Sequence, residues 1–125
     1  MEISNVEIMA ITNGYRKGTS FRLPAAIAWK RRVNMDKLFK ARALIEEALT
    51  EVRTPFLADD KSTATEDGGR QILPEYVAEY TKAQNDILSQ KTDVDIKTIP
   101  IEELGTVELS DSDMDTIAFM IKDGE

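Results

Sequence analysis

The sequence predicts a helix-dominated α+β fold in which a long helix pairs with a shorter antiparallel one, with short helices and a small β element at their flanks. Three observations carry that expectation. Apolar residues recur at helical spacing between Pro24 and about Arg53, and again between Pro74 and about Gln90. Thr92 to Ile101 instead alternates Val94, Ile96 and Ile99 with polar neighbours, as a half-buried strand does. At 125 residues the chain suits a single domain, 1–125, with one modest core built mainly from aliphatic side chains.

Each element has a local reason. Ser4-Asn5-Val6-Glu7 has the form of a capping box, so a first helix is expected over about residues 5 to 13, with Asn13-Gly14 as its stop. Tyr15 to Leu23 reads as a polar turn ending in an extended piece, because the ring of Pro24 pushes Leu23 away from helical ψ. Pro24 suits the first position of the long helix, where its missing N–H costs nothing. The seam of that helix is Leu38, Ala41, Ile45, Ala48 and Val52, widened by Leu44 and Leu49. Continued backwards, the same seam meets Asn34, Arg31 and Ile27, so two polar residues stand where apolar ones are expected. At 1.5 Å per residue the helix spans roughly 45 Å, long enough that it must protrude, bend or be covered.

Thr54-Pro55 should end it, and the stretch 58–70, polar and acidic with Gly68-Gly69, reads as a mobile loop. In the second helix Tyr76, Tyr80, Ala83 and Ile87, joined by Val77 and Leu88, form the apolar face. Thr106 to Leu109 is a further extended piece. Ser110 with Asp113 repeats the capping logic for a closing helix faced by Met114, Ile117, Ala118 and Ile121, and the last residues, from Asp123, should fray.

Composition excludes much chemistry. With no cysteine and no histidine, disulfides, thiol nucleophiles, Ser-His-Asp and Cys-His catalysis, the usual zinc sites and an imidazole pH switch are all absent. The start of the chain has no secretory signal pattern, and no run of about 18 apolar residues occurs, which points to a cytoplasmic protein that does not enter a membrane. Charge is polarised: residues 1 to 57 carry ten Lys/Arg against six Asp/Glu, and residues 58 to 125 carry six against seventeen. That asymmetry suits two halves, or two subunits, attracting each other better than it suits a nucleic acid, which the acidic half would repel.

Motif-like patterns fail on inspection. Asp111, Asp113 and Asp115 alternate like calcium-loop ligands, but Thr116 and Lys122 stand where Gly and a bidentate Glu are needed. Gly14 to Ser20 lacks the spacing and the Lys of a phosphate-binding loop. Neither a metal site nor a cofactor site is expected, and no catalytic residue is assigned. What stands out is the basic end of the long helix. Trp29, Lys30, Arg31, Arg32 and Asn34 form the candidate binding set, where cations beside an aromatic ring are suited to an anionic group.

Phe21-Arg22-Leu23-Pro24 opening a long helix, Arg32-Val33-Asn34 within it, Glu75-Tyr76, Val94-Asp95-Ile96, Leu109-Ser110 and Ile117-Ala118-Phe119-Met120-Ile121 together resemble small tailed-bacteriophage proteins of unknown function, common in phages of Gram-positive and gut bacteria. The resemblance implies a phage-encoded, helix-rich protein of the host cytoplasm and supplies no active-site residues. Lys30-Arg31-Arg32 is richer in charge than the usual pattern. The functional expectation is a non-enzymatic accessory protein acting through protein contacts, in particle assembly or on a host factor, with self-association as the simplest cover for the long seam. The alternative is a protein that binds or sequesters a small ligand or nucleotide at Trp29 to Asn34.

Overall fold

The computed structural model describes residues 1–17, 22–105 and 107–122. Among them the chain is a helix-dominated α+β fold in which three two-stranded sheets fasten the ends of helices. The expected polar turn falls partly on residues 18–21, the extended piece at 106–109 begins on an undescribed residue, and the tail 123–125 lies outside the described residues.

A strand that sequence reading missed, β1 (Glu2–Ser4), precedes the first helix. Ser4 then caps α1 (Asn5–Arg16), its hydroxyl accepting from the Glu7 N–H at 3.3 Å. The helix runs through Asn13-Gly14 to Arg16 because tertiary contacts override the local stop: Asn13 is held from the neighbouring helix by Arg42, and Tyr15 packs edge-on to Phe39 at 6.0 Å.

The long helix is α2 (Ala25–Arg53), about 43 Å at 1.5 Å per residue. Pro24 is its cap rather than its first turn, in extended conformation, with its carbonyl accepting from the Ala28 N–H at 2.9 Å. At the far end Thr54-Pro55 tightens the coil into a 3-10 turn, Thr54–Leu57, which buries Phe56.

The stretch 58–70 forms regular structure where a featureless loop was expected. Strands β2 (Ser62–Ala64) and β3 (Arg70–Ile72) pair antiparallel, with Ser62 opposite Ile72 and Ala64 opposite Arg70. Hydrogen bonds rather than apolar burial hold this hairpin, so no apolar alternation announces it. The Ser62 hydroxyl donates to the Leu57 and Ala58 carbonyls and accepts from Arg70 Nε at 2.7 Å. Gly68 takes φ +85°, a conformation that disfavours side chains.

Helix α3 (Pro74–Leu88) returns along α2. Its Tyr80 meets Phe56 near the C-terminal end of α2 at 5.5 Å, while Ile87 packs on the cluster that holds Leu38 and Ile45, so the two helices are antiparallel. None of its residues is fully buried, and Val77 is exposed rather than part of the packed face.

The expected strand at 92–101 divides. Its first part belongs to β4 (Lys91–Asp93), antiparallel to β1 with Ile3 opposite Thr92. Residues 94–98 have no strand partner, and β5 (Ile99–Pro100) pairs in parallel with β6 (Ile121–Lys122). A 3-10 turn, Ile101–Leu104, follows β5. The closing helix α4 (Asp111–Ile117) carries the complete Ser110–Asp113 capping box, then tightens over Ala118–Met120 and becomes β6 at Ile121, where a continuous helix was expected. Burying Met120 and pairing Ile121 with Ile99 outweighs continuing the helix.

Two apolar clusters lie along α2. Ile3, Ile8, Met35, Leu38, Ile45 and Val94 form one; Ile27, Ile99, Leu104, Ile117 and Met120 form the other. Ile96 and Phe119 pack on both. The seam of α2 is thus covered within the chain and needs no second copy to cover it, contrary to the expectation from its length. Leu44, read as part of that seam, points outward at 69 % exposure.

Candidate functional site

The irregular half of the seam is where the structure is most specific. Asn34 is wholly buried, and its side-chain amide acts as a clamp: Nδ2 donates to the Lys97 carbonyl at 2.9 Å and Oδ1 accepts from the Lys97 N–H at 2.7 Å. A carboxamide matches a peptide group in having one donor and one acceptor side, so it satisfies the extended segment 94–98 where no strand does. The Asn34 carboxamide is thus taken up by the Lys97 peptide group. Lys37 assists at the surface, its ammonium donating to the Asp95 carbonyl at 2.8 Å.

Arg31 is also buried, with its guanidinium carbon 4.8 Å from the centroid of the Tyr15 ring. Burial lowers its pKa from the ordinary arginine value and Tyr15 acts in the opposite direction; the group stays cationic at neutral pH. Arg16 lies over Phe39 at 5.0 Å, so the end of α1 rests on α2 through two rings in edge contact, Phe39 and Tyr15, each with a cation on it, Arg16 and Arg31. Beside Arg31 opens a cleft of about 200 Å³ lined by Tyr15, Leu23, Ala28, Arg31 and Arg32.

Of the five residues singled out from the sequence, the structure brings Arg31 and Arg32 to this cleft. Trp29 lies outside it at 66 % exposure, one helical turn from Arg32. Lys30 is half-buried. Arg32 is solvent-facing and pairs with Asp36 at 3.5 Å. The cleft is large enough for a carboxylate or phosphate group but smaller than the roughly 300–1,000 Å³ of typical ligand pockets. A more open groove of about 370 Å³ between α2 and α3 is lined by Glu46, Leu49, Thr50, Arg53, Tyr80 and Gln84.

Sequence reasoning missed two participants. Tyr15, expected in a turn, belongs to the last turn of α1 and walls the cleft. Arg42, one of the basic residues of the long helix, is buried between α1 and α2. It donates to Thr12 Oγ1 at 2.7 Å, Asn13 Oδ1 at 2.6 Å and Glu46 Oε1 at 2.6 Å. Nothing in the spacing of Thr12, Asn13 and Arg42 marks a buried network, because the three meet only when α1 and α2 pack.

Among the described residues no group of three or more acidic side chains is placed to hold a metal ion, and no helix is long and apolar enough to cross a membrane. The aspartates at 111, 113 and 115 lie in the first turns of α4, where Asp113 completes the helix cap. No family model matches the chain, and neither a curated protein nor a solved structure matches it.

Proposed function

We propose that the protein is a non-enzymatic accessory that acts by binding protein, and that the N-terminal half of α2 is its contact face. The observation that carries this reading is Trp29, two-thirds exposed on the long helix and one turn from Arg32 and the guanidinium-walled cleft. Trp, Tyr and Arg dominate the energetics of protein interfaces, and a partly enclosed cation beside a flat ring is suited to an acidic side chain of a partner. A phage setting, in assembly or on a host factor, is in keeping with the resemblance noted above and belongs to the proposal.

Substituting Trp29→Ala and Arg32→Ala tests it. Both side chains are exposed, so the melting temperature is expected to stay within about 2 °C, while capture of the partner falls at least about tenfold. Undiminished capture by the double variant would overturn the assignment of this face. The alternative, nucleotide sequestration, has a cationic cleft in its favour but lacks the volume for a base and sugar. Thermal stabilisation by any member of a nucleotide panel, abolished by Arg32→Ala, would restore it.

A further inference from the structure

The outward face of α2 carries a pattern that the core does not explain. Ala25, Trp29, Arg32, Asp36, Lys40, Ala43, Leu44, Glu47, Glu51 and Thr54 recur at helical spacing and are all exposed, so one continuous stripe follows the full length of the helix on the side away from the apolar clusters. Its charge changes sign along the axis. Arg32 and Lys40 lie on the N-terminal side of Ala43, where Asp36 is already paired with Arg32, and Glu47 and Glu51 lie on its C-terminal side. The midpoints of Arg32 with Glu51 and of Lys40 with Glu47 both fall within two residues of Ala43, where a small residue and the exposed Leu44 meet.

We infer that the face is self-complementary and that its occupant is a second copy of this chain, its α2 antiparallel to the first across a two-fold axis near Ala43. This inference rests on the protein-contact reading and gives that contact a partner. In an antiparallel pair each copy sets Arg32 and Lys40 against Glu51 and Glu47 of its mate, so every favourable charge pair occurs twice; a parallel pair would set like against like. Ala43 lets the helices approach at the crossing, Leu44 is covered, and Trp29 lies over the Thr54 end of the other copy's helix. With the axis near Ala43 the two helices overlap over about residues 33–53, roughly 30 Å, which at roughly 10 Å wide covers on the order of 300 Å² per copy, well below the roughly 800 Å² of a standard interface. The association is therefore weak and depends on concentration and salt.

The absence of cysteine allows a clean test. Purified full-length protein is followed by sedimentation from about 5 µM to about 0.5 mM, and single Ala43→Cys and Glu79→Cys variants are oxidised side by side. The expected result is a monomer–dimer equilibrium that weakens with salt, about tenfold weaker for Lys40→Glu and recovered in the Lys40→Glu, Glu47→Lys double variant. Ala43→Cys should form a covalent dimer at least about tenfold faster than Glu79→Cys, since facing backbones at a helix crossing come within disulfide reach. Circular dichroism melts confirm that these surface variants are folded. A monomer throughout the range, with Ala43→Cys no faster than its control, overturns self-pairing. If that monomer still captures another protein through Trp29, the contact reading survives; if it captures none, both fall.

Discussion

At the scale of single residues, the two polar side chains that interrupt the α2 seam do different things. Asn34 replaces a missing strand, so its loss strands the Lys97 N–H and carbonyl. Asn34→Ala should lower unfolding free energy by about 2–4 kcal/mol in a urea titration. Asn34→Asp keeps the acceptor but sets a buried carboxyl against the Lys97 carbonyl, which raises its pKa in the folded state. Such a group binds more protons folded than unfolded, so the variant should lose stability as pH rises from about 4 to 7, measured against the parent protein. Arg42→Met, which removes the bonds to Thr12, Asn13 and Glu46, should cost about 2–3 kcal/mol in the same titration. That Asn34 and Arg31 were irregular was legible in the sequence. What they meet was not, because Lys97 is far along the chain, and Arg42 looks in sequence like any solvated helical cation.

At the scale of elements, helices were legible because their apolar period is local and capped. Ser4, Ser110 and Pro74 mark helix starts where they were expected. The limit of that reading shows in two adjacent residues. Leu44 and Ile45 were both assigned to the seam, yet Ile45 is 4 % exposed and Leu44 faces outward. Ile45→Ala should cost about 2–4 kcal/mol and Leu44→Ala less than about 0.5, a contrast that a thermal melt resolves. The hairpin of β2 and β3 escaped notice because it rests on hydroxyl and guanidinium bonds, which leave no apolar signature. Its turn contains Asp67, whose carboxylate accepts from the Thr65 hydroxyl and the Gly69 N–H. These bonds hold its pKa below the ordinary aspartate value. The contribution is complete above that ordinary value and is lost as pH falls through the lowered one. An NMR titration should place the Asp67 midpoint below the ordinary aspartate value, and Asp67→Ala should speed exchange of the Gly69 amide at neutral pH.

At the scale of the whole molecule, α2 is the common support of two apolar clusters, and Ile96 and Phe119 join them. Ile96→Ala should accelerate amide exchange in α1 and in α4 alike while unfolding remains a single transition; a change confined to one helix would show that the clusters are independent. The short strands were the least legible feature, because pairs of two or three residues depend on partners distant in sequence. That same feature has a kinetic consequence. The hairpin of β2 and β3 closes over a few residues, and α1, α2 and α3 can meet as neighbours along the chain. The β1–β4 pairing instead joins Ile3 to Thr92, and it must wait for a far longer loop to close. β1 leads straight into α1 and β4 follows α3 after two residues, with the Asn5 N–H bonded to the Gln90 carbonyl at 2.8 Å, so the packing of α1 with α3 should deliver the two strands to each other. The β1–β4 sheet should therefore gain amide protection only after the helices it joins, as pulsed exchange during refolding would show.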